Sequence, residues 1–268
     1  MQSDLTTEEY FVFHDAMLSF FEKSVASEAL RYLKDRGISE EVRKTFRLGF
    51  CPDVLLCKRE LDVWQLSAKV AEVSGFLSSR CGPLYSHFAH RITFPIFSVR
   101  GQTVGFGSRT LPGRILHKDG TNTFQYIPDL KISGAKYINS PETPIYKKSE
   151  HLFGIHQALK TIRLKRRVIL VEGYFDCLQL HQAGFQETIA LCGTAFSEYQ
   201  SHLLEQLGVL VYSLLDGDAA GQKATDMFEI ITKSRKLKHK IIKLPENMDP
   251  DLFIRVKGPK ELEILLQR

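Results

Sequence analysis

Three short acidic groups carry the chemistry open to this sequence: Glu172 with Asp176, Asp216 with Asp218, and Asp249 with Asp251. Glu172 closes the apolar run 168–171, and Asp216 and Asp218 close the run 209–215. Carboxylates delivered together to one sheet edge repel one another unless a cation neutralises them. Hard ions such as Mg²⁺, or Mn²⁺ in its place, take oxygen ligands and keep several waters, which suits a shallow ring of acids. Two such ions about 3.5–4 Å apart would activate an attacking 3′-hydroxyl and stabilise a leaving pyrophosphate. The pattern therefore predicts metal-dependent phosphoryl transfer or another nucleic-acid chemistry. Each acid also has a plain structural role open to it, because an Asp at a helix start is an ordinary cap; this applies to Asp176, Asp218 and Asp249.

The elements that must position these acids are legible from residue 167 onward. Apolar runs at 168–171, 188–191, 209–215 and 240–244 alternate with helical spacing at 174–183, 197–207 and 219–234, and a closing helix follows at 249–257. That alternation predicts an α/β unit, a small parallel sheet flanked by helices. Such sheets bind ligands outside the carboxyl ends of their strands, where Glu172 and Asp216 fall. Gly173 reads as the residue that permits a tight turn into the helix. The first third reads as helical at 10–24, 28–34 and 60–76, with Gly37 as a stop, Ser39 as a start and Trp64 in the core. From Arg91 the period shortens to β runs at 92–97 and 102–106, joined by a hairpin turn at 98–101. Residues 111–133, rich in Gly, Pro, Asn and Asp, read as an irregular loop, 136–139 as extended and 146–160 as helical. Two domains are expected, a mixed helical and β (α+β) basic part at 1–164 and the parallel-sheet part at 165–268.

Composition narrows the class. The 268 residues are 43% hydrophobic, yet the longest apolar runs are strand-sized, well short of the roughly 20 residues of a membrane span. Residues 1–10 carry Asp4, Glu8 and Glu9 and lack the basic-then-apolar pattern of a secretory signal, so a cytoplasmic location without membrane association is expected. The five cysteines include no C-x-x-C pair, and Cys51, Cys57, Cys81 and His87 fit no short zinc spacing, so neither disulfides nor zinc are expected. The net charge of +5 hides an asymmetry: residues 91–170 hold 14 Lys/Arg against 4 Asp/Glu, and the remainder 22 against 27. So many cations with so few acids predict a surface for a polyanion.

Glu172-Gly173-Tyr174-Phe175-Asp176, then Asp216-Gly217-Asp218-Ala219-Ala220-Gly221, then Leu244-Pro245-Glu246-Asn247-Met248-Asp249-Pro250-Asp251 follow in order on one strand–helix repeat. In this the C-terminal third resembles the TOPRIM fold of primases and topoisomerases. Arg91-Ile92-Thr93-Phe94-Pro95-Ile96, Gly105-Phe106-Gly107-Ser108-Arg109, Lys136-Tyr137-Ile138-Asn139-Ser140-Pro141-Glu142-Thr143 and Phe153-Gly154 look like the catalytic core of bacterial DnaG-type DNA primases, as does Tyr32-Leu33-Lys34-Asp35-Arg36-Gly37-Ile38. The resemblance implies a DNA-directed RNA polymerase that makes short RNA primers in DNA replication. It implies Glu172, Asp216 and Asp218 as central metal ligands, with Asp176, Asp249 and Asp251 as outer members. It also implies that Arg36, Arg91, Arg109, Lys136, Tyr137 and Asn139 hold the single-stranded template and ribonucleoside triphosphates; Tyr137 reads equally as a core residue and Asn139 as a turn residue. Where the family carries further arginines before Arg91, this sequence has His87, Ala89 and His90. No Cys/His tetrad precedes Tyr10, so a separate zinc-ribbon protein or replicative helicase is the expected partner. The same acids would also suit a TOPRIM nuclease, and a core without catalysis would bind single-stranded DNA or a helicase.

Overall fold

The computed structural model describes residues 5–78, 86–118, 121–127, 134–217 and 219–267. Two compact units emerge, Met1–Ile96 with Gln102–Lys147, and Phe97–Gly101 with Lys148–Arg268. In packing, the division falls at 147/148, and the helix before the first parallel strand buries Ile155, Ala158 and Ile162 in the same core as Val168, Leu170 and Ile189.

The first unit opens with helices α1 (Thr7–Lys23), α2 (Ser27–Asp35) and α3 (Glu40–Thr45). Thr6 and Glu9 form a capping box that starts α1, whose apolar positions Tyr10, Phe13, Met17 and Phe21 are buried. After β1 (Gly49–Cys51), the predicted helix 60–76 is two pieces, α4 (Val54–Val63) and α5 (Ala68–Val73). Gln65 in the left-handed region (φ 51°) ends the first, Ser67 caps the second, and Trp64 at the break is half-buried. Strands β2 (Arg91–Phe97), β3 (Thr103–Thr110) and, further on, β6 (Tyr137–Asn139) complete a four-stranded sheet in the order β1-β2-β3-β6. The turn between β2 and β3 closes through Gly101 N–H to Ser98 O at 2.9 Å. The stretch expected as an irregular loop instead holds an antiparallel hairpin, β4 (Gly113–Lys118) with β5 (Thr121–Tyr126), Lys118 opposite Thr121. Asp119-Gly120, between these strands, is a strong two-residue hairpin signal in sequence; residues 119–120 and 128–133 of the expected loop lie outside the described residues.

Phe76 sits at the centre of this unit's core, with the rings of Phe13, Phe21, Phe88 and Phe106 at 5.1, 5.6, 4.9 and 5.5 Å. His14, stacked on Phe106, is fully buried and donates from Nδ1 to the Tyr10 carbonyl at 2.7 Å. Burial pushes its pKa down to about 4, against the smaller opposing pull of that hydrogen bond and Asp15. The unfolded chain takes up this proton near pH 6.5 and the folded chain does not, so the stabilisation is present above pH 6.5 and is lost as pH falls toward 4. The effect is on the order of 3 kcal/mol. Urea midpoints followed by Trp64 fluorescence are expected to drop over that window in the native chain and to flatten in His14→Gln.

In the second unit β7 (Leu152–Phe153) leads into α6 (Ile155–Lys165), so the helix expected from 146 begins only after Gly154, which adopts φ 79°. Tyr146 is held earlier, in a bridge to Thr143. There follow β8 (Arg167–Val171), α7 (Tyr174–Gln182), β9 (Thr188–Leu191), α8 (Glu198–Leu207), β10 (Leu210–Ser213), α9 (Ala219–Arg235), β11 (His239–Ile241), α10 (Pro250–Lys257) and α11 (Pro259–Gln267), the last beyond the expected closing helix. The sheet order is β11-β10-β8-β9-β7. The first four strands are parallel, and β7 adds an antiparallel edge. The chain leaves β8 for β9 on one side and returns to β10 on the other, so the winding reverses between β8 and β10. Among the described residues no helix is long and apolar enough to cross a membrane.

Candidate metal and nucleotide site

The reversal between β8 and β10 is where a doubly wound sheet leaves a crevice at its strand ends. Glu172 follows β8 directly, and Asp216 lies three residues after β10. The backbone N–H of Asp216 donates to Glu172 Oε1 at 3.2 Å, so the two acids meet at adjacent strand ends. Asp218, the third expected ligand, lies outside the described residues.

Glycine is required here by close approach. Gly173, expected to permit a tight turn into the helix, has an extended backbone (φ −102°) just before α7. A Cβ there would collide with Asp176 Oδ2, the oxygen that accepts the Gly173 N–H at 2.9 Å. At Gly217 a Cβ would lie 2.6 Å from the Pro245 carbonyl oxygen, which draws the third acidic group close to the second. Gly217 N–H donates to Met248 O at 3.1 Å.

Asp176 is buried, and its Oδ1 accepts the backbone N–H of Asp251 at 3.1 Å, tying α7 to the start of α10. Burial pushes its carboxyl up to about 7, and the charges of Asp216 and Asp249 add to the shift. Asp249 caps α10 through Leu252 N–H at 2.6 Å. Asp251, also buried, is ion-paired to Arg255 at 2.8 Å. These two acids therefore hold α10 in place beside Asp176. Among the described residues no three His, Cys, Asp or Glu side chains gather tightly enough to hold an ion by themselves. The described pair is Glu172 with Asp216, an all-oxygen donor set of the kind a hard cation prefers.

A hollow of ≈ 560 Å³ opens against Glu172, lined also by Gly193, Thr194, Lys223 and Met227. Thr194 Oγ1 is buried there and makes no hydrogen bond among the described residues. Lys223 and Thr194 stand in no motif the sequence reading singled out. A lysine in the opening turns of a helix is uninformative by itself, and only the fold brings Lys223 next to Glu172.

The first unit gathers the expected cations around β3 and β6, whose register sets Arg109 opposite Tyr137 and Gly107 opposite Asn139. The Arg109 guanidinium lies 4.7 Å from the Tyr32 ring centre and 5.6 Å from that of Tyr137. It is only 5% exposed, whereas Tyr137 is 39% exposed and Lys136, 5.8 Å from the Tyr137 ring, is exposed. Arg109 thus supports Tyr137 from beneath, and Lys136 and Tyr137 present the outer surface. Arg91 donates to the Ala135 carbonyl at 3.0 Å and fixes the approach to β6; burial lowers its pKa. Arg36 is half-buried at the end of α2, and its charge reaches Tyr137. In the sequence Tyr32 stands only within a helical segment, and its position under Arg109 depends on the pairing of β3 with β6.

Cys51 and Cys57 are buried with their sulfurs 3.5 Å apart, and burial pushes the Cys51 thiol up, which disfavours the thiolate form that binds metals. Cys81 lies outside the described residues.

The sequence pattern described as "DNA primase catalytic core, N-terminal domain" matches residues 17–159, more than half of the chain. The chain belongs to the DNA primase catalytic-core family. A second pattern, described as Toprim-like, matches residues 169–254. The DNA primase of Chlamydia trachomatis serovar D is 40% identical over 242 residues, covering 90% of this chain and 37% of the relative. That of Aquifex aeolicus is 34% identical over 261 residues, 97% of this chain and 49% of the relative. The chain therefore spans between about a third and a half of the length of these curated relatives. Among solved structures, the Aquifex aeolicus primase zinc-binding and RNA polymerase domains superpose with TM-score 0.85 at 32% identity, covering 98% of this chain and 62% of that one. A DnaG primase catalytic domain bound to ssDNA gives 0.81 at 28% identity, with coverage of 97% and 81%.

Within this primase core, Arg109→Leu is expected to remove the cation between two tyrosines and let Tyr137 lose its support. If this face carries a single strand, its affinity is then expected to fall several-fold, with a salt dependence close to that of the native chain, because a buried guanidinium is not itself a phosphate contact. Lys136→Gln is expected to lower both affinity and salt slope. Oligonucleotide titrations at several salt concentrations distinguish the two.

Proposed function

We propose that this chain is the polymerising core of a DNA primase, a nucleotidyltransferase that joins ribonucleotides on a single-stranded DNA template. The observation that carries the reading is the hydrogen bond joining Asp216 to Glu172 at the reversal of the parallel sheet, beside a hollow with a lysine and an unsatisfied hydroxyl. Glu172, Asp216 and Asp218 are the residues that would hold Mg²⁺ or Mn²⁺, with Asp176, Asp249 and Asp251 as the outer members that orient them. When bound, the metal supplies charge neutralisation for the triphosphate and lowers the pKa of the attacking hydroxyl.

The chain's own residues supply positioning. Lys223 and Thr194 suit the phosphates of a nucleotide placed against Glu172. Lys136, Tyr137 and Asn139, supported by Arg109, Arg91 and Arg36, suit the template strand and triphosphates. Catalysis on this reading is placement and electrostatics, with no side-chain nucleophile. The solved relative bound to ssDNA supports the choice of template. A replicative helicase or a separate zinc-ribbon protein is the proposed partner.

The test is incorporation of labelled ribonucleotides on a single-stranded template with Mg²⁺, with the chain alone and with a zinc-ribbon protein. Primer-length products that need both template and nucleotides support the reading. Cleavage of the template without nucleotides would favour a nuclease instead.

A further inference from the structure

The edge of the parallel sheet opposite the acidic site carries a row of cations. Between residues 160 and 167 there are five Lys/Arg and no acid, and between 233 and 243 six Lys/Arg and no acid. The fold brings residues 165–167 and 235–238 of these runs to the starting ends of β8 and β11. Arg167 pairs with Leu210, and Val211 pairs with His239, so β8 and β11 begin on either side of β10. With neighbouring strands about 4.8 Å apart, the two basic turns lie roughly 10 Å from each other.

The backbone gives a second, independent indication. Three helix-to-strand turns stand side by side at this edge, and each places one residue in the left-handed region: Arg166 (φ 54°), Gly208 (φ 61°) and Lys236 (φ 55°). Glycine suits that conformation, and only one of the three turns uses it. The other two hold an exposed cation at a strained position. Attraction to the helix dipole does not account for this, because Arg163 and Lys165 on α6, and Lys233 and Arg235 on α9, already occupy the last turns.

The nearby acids are already engaged. Glu187 is fully buried between Lys165 and Arg167, each at 2.8 Å, and Glu263 takes the far side of Arg167 at 3.3 Å. Arg166 donates to the Gly208 carbonyl and, like Lys236 and Lys238, makes no ion pair among the described residues.

We propose that this edge is a second nucleic-acid surface, a track for the phosphates of one single strand, with Arg166, Lys236 and Lys238 as its contacts. A single row of cations fits one backbone better than the two of a duplex, and the turns 166, 208 and 236–238 carry no aromatic ring to select bases. The inference does not rest on polymerase chemistry, since binding is read without metal or nucleotides.

The experiment is fluorescence anisotropy of a labelled oligothymidylate of about 30 nucleotides in EDTA, across a salt series, with the full chain and the variant Arg166→Gly/Lys236→Gly/Lys238→Gln. The dissociation constant is expected to rise at least about 5-fold and the salt slope to shrink by about 2, the share of three single-strand phosphate contacts. The melting temperature is expected to hold or rise, because glycine relieves both left-handed positions. Lys238→Glu alone, at an exposed position, is expected to weaken binding in the same direction and guards against loss of fold. Unchanged affinity and slope in a folded variant overturn the proposal. So does a loss confined to duplex DNA, or competition by polyglutamate as strong as by the oligonucleotide.

Discussion

Asp216→Asn is expected to reduce metal-dependent ribonucleotide incorporation by at least about 10²–10³-fold, the scale of losing one main electrostatic contact in a transition state. The fold is expected to survive. Asp216 meets Glu172 through its backbone N–H, which the substitution leaves in place. Its carboxylate is one of the charges that push the Asp176 carboxyl up to about 7. A carboxyl whose folded pKa is raised contributes its stability at low pH and loses it as pH climbs from about 4 to about 7. Removing the Asp216 charge lessens that loss, so the metal-free variant is expected to melt at or above the native temperature at about pH 8. Falling activity with retained or rising stability is the signature of a site built for a cation. Activity and stability lost together would instead make Asp216 a structural residue.

Phe76→Ala is expected to cost about 3–5 kcal/mol, enough to threaten folding of the first unit. Phe76 is 1% exposed, and four aromatic rings pack on it from α1, β3 and the segment before β2. Deleting its ring leaves a cavity that those rings cannot fill without leaving their own rotamers. Phe76→Leu is expected to recover a large part of the loss. Urea denaturation of the three proteins, followed by Trp64 fluorescence, reads the difference. A cost under about 1 kcal/mol for the alanine variant would contradict its central place.

Phe76 also marks where the sequence was hard to read. Its helical spacing with Val70 and Val73 extended the expected helix to residue 76, but the chain leaves α5 at Ser74 and turns at Gly75 (φ 76°) to aim the ring inward. Elements whose burial follows one period were legible: β9 falls on the expected residues, and β8 and α7 come within one residue of theirs. The β4–β5 hairpin was hidden because its Gly, Pro, Asn and Asp content resembles a loop, although Asp119-Gly120 was its signal. At the acidic edge the order of the three groups was readable, as was the nearness of Glu172 to Asp216. The division of labour was not. Asp176 on α7 is tied to the Asp251 backbone on α10, 75 residues away in sequence, while the Asp251 side chain pairs with Arg255 within α10. The family resemblance implied a groove role for Arg109, and the pairing of β3 with β6 buries it between Tyr32 and Tyr137.

The central claim is that Glu172 and Asp216 share a divalent ion. Anomalous diffraction from a crystal soaked in Mn²⁺ tests it most directly. A peak about 2.0–2.3 Å from oxygens of both side chains, absent in Asp216→Asn, is the predicted result. A peak that leaves either side chain unbound, or one that persists unchanged in the variant, would contradict it.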